Sequence, residues 1–156
     1  MITTDPADYL WFVDDALDGM LEIVEGLGDE LANTRPELPG ANSPFAILTH
    51  CLGVMAWWGG RMVAGHPVAR DRDAEFVATG PVAGLREEVR RVRAGFVADL
   101  DGLDPSAPPA GPVDEDFRQL PYGRSRSGVL WHVFEELAQH RGQMELTRDV
   151  LTSTRT

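Results

Sequence analysis

Four stretches of helical hydrophobic periodicity, each cut off by proline and glycine, constrain this chain more than any other feature. The first opens at "DPADYLWFVDD". Asp5 suits a helix cap, Pro6 suits the first helical position, and Asp8 favours the positive helix end. Leu10, Val13, Ala16, Met20, Ile23, Val24 and Leu27 then recur at helical spacing. "NTRPELPGANSP" breaks the pattern. The second helix starts at Ser43 and Pro44 and is apolar around most of its circumference, so deep burial is predicted, with Gly59 and Gly60 loosening its end. "GHPVARDRDAEF" reads as loop with at most a short helical turn. The third helix, over 81–100, carries Val82, Leu85, Val89, Val92, Phe96 and Leu100 on one face and arginines and glutamates on the other. The fourth covers 127–151. No alternating strand pattern competes. Four amphipathic helices must bury their stripes against each other, so an all-α four-helix bundle is expected, as one domain over 1–156. Residues 101–126 are too long a loop for a compact domain to leave idle. They are expected either to lack order or to cover one end of the bundle and shape a pocket.

Charge and cysteine content narrow the function. The formal net charge is −11, and residues 1–40 hold ten acidic groups against one arginine. A broad basic face for DNA or RNA is excluded, so no nucleic-acid partner is expected. Cys51 is the only cysteine, which rules out an intramolecular disulfide and a cysteine-based metal cluster. It sits among apolar residues, where a thiol is inert. The N-terminus has acid where a signal peptide needs base, and no apolar run reaches membrane length. A cytoplasmic protein without a membrane partner is the expectation.

Three polar residues do not fit the stripes. His50 shares a helix face with Ile47, Val54 and Trp57. Glu136 lies in the sector flanked by Val133 and Leu137, and His140 follows one turn later on the same side. A hydrogen-bonded core histidine and an exposed i,i+4 pair account for these letters. So does a metal site: two imidazoles and a carboxylate form a legitimate donor set for Zn²⁺, Ni²⁺ or Fe²⁺, with a coordination position left open. His132 lies about 12 Å of helix rise from His140 and cannot readily share a small ion with it, so a cap, packing or supporting role is expected. Gly142, mid-helix, suggests close helix approach, and Gln143 is expected to donate a hydrogen bond to a ligand or partner helix. Arg141 is expected to pair with acidic neighbours. His66 is read as a loop histidine at the outer edge of candidacy.

The segments "SPFAILTHCLGVMAWW" and "SGVLWHVFEELAQHRGQMELTRDVL" resemble the DinB-like superfamily. More narrowly, they resemble the N-terminal domain of mycothiol-dependent maleylpyruvate isomerase and the mycothiol S-transferases. The resemblance spans nearly the whole chain and implies the bundle fold. It places His50 and His140 on the family's two histidine ligand positions and Glu136 on the middle ligand position. Many DinB-like proteins have histidine there, whereas the isomerase-like branch has glutamate. It also implies a divalent metal ion (zinc, with nickel or iron as alternatives), a low-molecular-weight thiol of the mycothiol type as co-substrate, and frequent homodimers.

The leading expectation is therefore a metal-dependent thiol S-transferase or isomerase-like enzyme, with the thiolate attacking a small electrophile. Two alternatives stand beside it. One is a non-catalytic bundle that binds a small molecule or dimerises. The other is a metal-dependent hydrolase, with Asp114, Glu115 or Asp116 as base candidates. Arg61, Arg124 or Arg126 would hold an anionic substrate group, and Tyr122 and Trp57 would wall the pocket. Trp11 and Phe12, adjacent on the first helix, cannot both face inward, which leaves a surface for a second copy.

Overall fold

Helix α1 (Pro6–Ala32) begins as its letters dictate. The Asp5 side chain accepts a hydrogen bond from the Ala7 N–H at 2.8 Å, and Pro6 occupies the first turn, where no donor is needed. The structure is a computed structural model and describes residues 5–112, 117 and 119–153. Near its end α1 is interrupted at Gly28, whose φ of 69° lies in the left-handed region that favours glycine. Beyond the kink, Asn33 donates to the Gly80 carbonyl and accepts from the Gly80 N–H, while Asp29 accepts from Val82 N–H. These bonds tie the end of α1 to the start of the third long helix.

Helix α2 (Pro44–Met55) is capped by Ser43, whose hydroxyl accepts from Ala46 N–H at 3.2 Å. Ten of its residues are buried, from Pro44 to Met55, as the broad apolar character predicted. It runs directly into a π-helical segment, Ala56–Ala64. The wider turns arise where Gly59 and Gly60 let neighbours press against the backbone. A Cβ at Gly59 would lie 2.5 Å from the Phe96 ring, and one at Gly60 2.8 Å from Val68. The glycines thus change the helix type rather than simply fraying it. Gly65, at φ 84°, closes the segment.

A short helix, α3 (Arg72–Glu75), interrupts the next connection, and a 3₁₀ turn (Val82–Gly84) leads into α4 (Leu85–Asp99). Leu85, Val89, Val92 and Phe96 are its buried stripe. Arg86 and Arg93 cross to Glu25 and Asp14 of α1. The last helix, α5 (Arg126–Ser153), packs on α1, α2 and the π segment and buries Val129, Leu130, Val133, Leu137 and Met144 between them. Tyr9 of α1 donates to the Leu130 carbonyl at 2.7 Å.

All the regular structure among the described residues is helical. Of the two expectations for 101–126, the described part follows the second. Ala110 N–H donates to Met62, Arg126 N–H to Ala107 and Ser127 N–H to Pro105, pinning the connection across one end of the bundle. Its far end, a 3₁₀ turn at Pro121–Gly123, brings Tyr122 beside α5. Asp114, Glu115 and Asp116 lie outside the described residues.

Candidate metal centre

The near-total burial of α2 encloses one imidazole in its middle. His50 is 3% exposed, facing α5 across the core. A buried imidazole needs partners for both nitrogens. Its Nδ1 lies 2.8 Å from Glu75 Oε2 at the end of α3. Glu75 is itself gripped by Arg70, through Nε at 2.7 Å and a terminal nitrogen at 2.9 Å. Burial pushes the Glu75 carboxyl up, but the hydrogen bonds from Arg70 and His50 outweigh it and hold the group below the usual carboxylate range. An ionised Glu75 can only accept, so His50 Nδ1 carries the proton and Nε2 keeps its lone pair. Phe76 stacks on the ring at 4.4 Å and fixes its plane.

Helix α5 supplies the other two groups. Glu136 and His140 are one turn apart and share a face. Glu136 Oε2 lies 3.7 Å from His50 Nε2 and 3.4 Å from His140 Nε2. On the far side of the His140 ring, Nδ1 lies 2.8 Å from the Gln143 side-chain oxygen. That acceptor again places the proton on Nδ1 and leaves Nε2 directed at Glu136. The neighbouring His140 and His50 rings hold the Glu136 carboxyl far below its ordinary range. The same contact with Glu136 raises His140 above 6.5.

One donor atom from each of His50, Glu136 and His140 can be chosen so that all three lie within 4.8 Å of each other. Ligand bonds of 2.0–2.2 Å at tetrahedral angles put neighbouring donors roughly 3.3 Å apart. The 3.4 and 3.7 Å separations need only small side-chain movement to meet that requirement. The residues therefore fit a divalent ion: two imidazoles turned Nε2-inward by an acceptor behind each ring, and one ionised carboxylate oxygen between them.

His132 is part of a second group, with Glu135 and Glu136, that also lies within 4.8 Å. Its geometry is that of a support. The ring is buried against Tyr122, stacked at 4.0 Å, and edge-on to Trp58 at 4.8 Å. Its Nδ1 faces Glu135 at 3.1 Å, and its Nε2 lies 3.6 Å from Glu136 Oε1. The two oxygens of Glu136 are thus divided, one toward the histidine pair and one toward His132.

An open cavity of about 320 Å³ adjoins this cluster, lined by His50, Val54, Trp57, Trp58, Arg70, Arg72, His132 and Glu136. Trp57 walls it as expected, while Tyr122 stands behind His132. Several other expectations need correction. Arg61, Arg124 and Arg126 do not line the cavity; Arg70 and Arg72 do. Gly142 marks no close approach, because nothing lies within 4 Å of where its Cβ would be. The close approach is on α1, where the Arg141 side chain crosses Gly19 and pairs with Asp15. His66 pairs with Asp99 on α4, 2.9 Å away, and not with the cluster. Gln143 contributes to the site as an acceptor behind His140 rather than as a donor. Cys51, next to His50 in sequence, is fully buried, and burial pushes its thiol well above the usual range.

Sequence reasoning missed Glu75, Arg70 and Arg72 because "ARDRDAEF" has no periodicity to distinguish it from a solvated loop. The available signal was chemical: a buried histidine needs a second partner, and this segment is rich in charge.

The family model of the mycothiol S-transferases matches residues 9–153, which includes every residue of the cluster. The chain belongs to the mycothiol S-transferase family. That family lies within the DinB-like superfamily, and its helical-bundle architecture is the one described above. No curated protein matches the chain closely enough to add a relative. Among the described residues, no helix is long and apolar enough to cross a membrane.

Proposed function

We propose that this chain is a divalent-metal-dependent thiol S-transferase, using a low-molecular-weight thiol of the mycothiol type. The observation that carries this reading is the convergence of His50 Nε2, His140 Nε2 and Glu136 Oε2, with both rings held in the ligating tautomer from behind. Zinc suits the donor set best; nickel and iron are compatible with it. A bound divalent ion would supply Lewis acidity that keeps a thiol deprotonated at neutral pH.

The chain's own residues do the rest. Arg70 keeps Glu75 ionised, and Glu75 fixes the tautomer of His50. Glu136 offers one oxygen to the site while His132 faces the other. Trp57, Trp58 and Val54 form an apolar wall that limits water beside the reacting sulfur. Cys51 has neither exposure nor acidity to act as the nucleophile, so the sulfur must come from a diffusible thiol.

Elemental analysis tests the reading. Wild-type protein exposed to divalent ions and desalted should retain about one ion per chain, and His50→Ala and Glu136→Ala should each lose it. In Co²⁺-loaded protein, thiol addition should shift the visible spectrum as sulfur enters the coordination shell. Metal-free wild-type protein, or a spectrum indifferent to thiol, would remove the basis of the proposal.

A further inference from the structure

Arg70 and Arg72 both line the cavity beside the cluster, but only one of them is engaged. Arg70 is spent on Glu75 through two hydrogen bonds. Arg72 is exposed and makes no ion pair among the described residues. Its neighbour Asp71 instead caps Ala74 N–H at 3.0 Å. The Arg72 guanidinium is nonetheless positioned, lying 5.0 Å from the centre of the Phe76 ring, which itself stacks on His50. A stacked guanidinium keeps its N–H edge available for a planar anion. Trp57 and Trp58 line the same cavity and offer aromatic surface.

We infer that Arg72 is the carboxylate-recognising residue of the electrophile subsite, and that the preferred electrophile is a small, flat monocarboxylate seated between Arg72 and the tryptophan wall. This deepens the function proposed above and rests on it for the second substrate being an electrophile. Arg70 offsets Glu75. Glu136 and a thiolate would together offset a bound divalent ion, which leaves the charge of Arg72 for a carboxylate on the second substrate. An uncharged electrophile would leave the site with uncompensated charge, and a dianion would overshoot.

The test compares cinnamate with cinnamamide, which match in shape and differ in charge. Isothermal titration is performed on zinc-loaded and ion-free wild type, Arg72→Gln, Arg72→Lys and Arg124→Gln. Wild type should favour cinnamate roughly fivefold, the scale of one ion pair at a pocket edge. Arg72→Gln should erase the preference, Arg72→Lys should restore part of it, and Arg124→Gln should leave it intact. Equal binding of the two probes by wild type, or binding of neither, overturns the inference. So does a preference that survives Arg72→Gln and vanishes on removing zinc, because the carboxylate would then sit on the ion. A parallel ZnCl₂ titration separates the two proposals. Failure to take up zinc, with an Arg72-dependent preference still present in the ion-free protein, sinks the metal reading and leaves this one standing.

Discussion

At the residue level, the site depends on acceptors placed behind imidazoles. Replacing Glu75 by Gln removes the ionised acceptor that holds His50 Nδ1–H and leaves Arg70 without its partner. Zinc affinity should fall by roughly 10- to 100-fold, the range seen when a supporting partner of a ligating histidine is lost. A competition titration against a chelator checks this, and unchanged affinity would show that Glu75 does not orient the ring. Acidity gives a second prediction. Glu136 raises His140 above 6.5, so in the ion-free protein this histidine gains a proton more readily than a free one. The protonated pair adds stability that is fully present below 6.5 and is lost as pH rises through the raised value. The same proton occupies the lone pair an ion needs. Both effects have one sign: the rise in Tm on adding zinc should be larger at pH 8 than at pH 6. Thermal melts with and without zinc at the two pH values measure it, and a rise that shrinks with pH would contradict the assignment of His140. His50, Glu136 and His140 were legible in the sequence because each interrupts a helical stripe. Glu75 was not, because it reaches the histidine from an aperiodic segment 25 residues further on.

At the level of the helix, two glycines that each lie inside a helical segment behave in opposite ways. Gly59, in the π segment, lies against Phe96 of α4, and a methyl there would meet the ring at 2.5 Å. Gly59→Ala should destabilise the fold by about 1–3 kcal/mol through overpacking. Gly142, inside α5, has no atom within 4 Å of its missing Cβ. Gly142→Ala should stabilise by up to about 1 kcal/mol, the helix-propensity difference. Urea denaturation of both variants decides the matter, and the same sign for both would refute it. Helix starts were readable in advance because Asp5–Pro6 and Ser43–Pro44 are local signals that the chain satisfies with its own neighbours. The π segment was not, because its cause is Phe96 arriving from another helix. Gly142 misled for the same reason: a glycine in a sequence does not say whether anything packs on it.

At the scale of the whole molecule, α1 and α5 leave an aromatic strip on the surface. Trp11 is 61% exposed, Phe12 49% and Trp131 45%. Phe12 contacts Phe134, which in turn contacts Trp131, so the rings form one continuous band. A band of this kind is the surface on which the expected homodimer would form. Sedimentation at micromolar concentration should show a dimer, and Trp11→Glu combined with Trp131→Glu should yield monomer. A wild-type protein that sediments only as monomer would count against self-association.

The sequence by itself determined where the long helices start, which face of each is apolar, and that the bundle would have to bury a histidine. Those properties follow from period, caps and composition, which act over a few residues. The tertiary structure alone decided that Glu75 and Arg70 complete the environment of His50, that Arg72 faces the cavity, and that Tyr122 supports His132. Those contacts join segments far apart in the chain, and their geometry is set by how the helices pack, which no local pattern encodes.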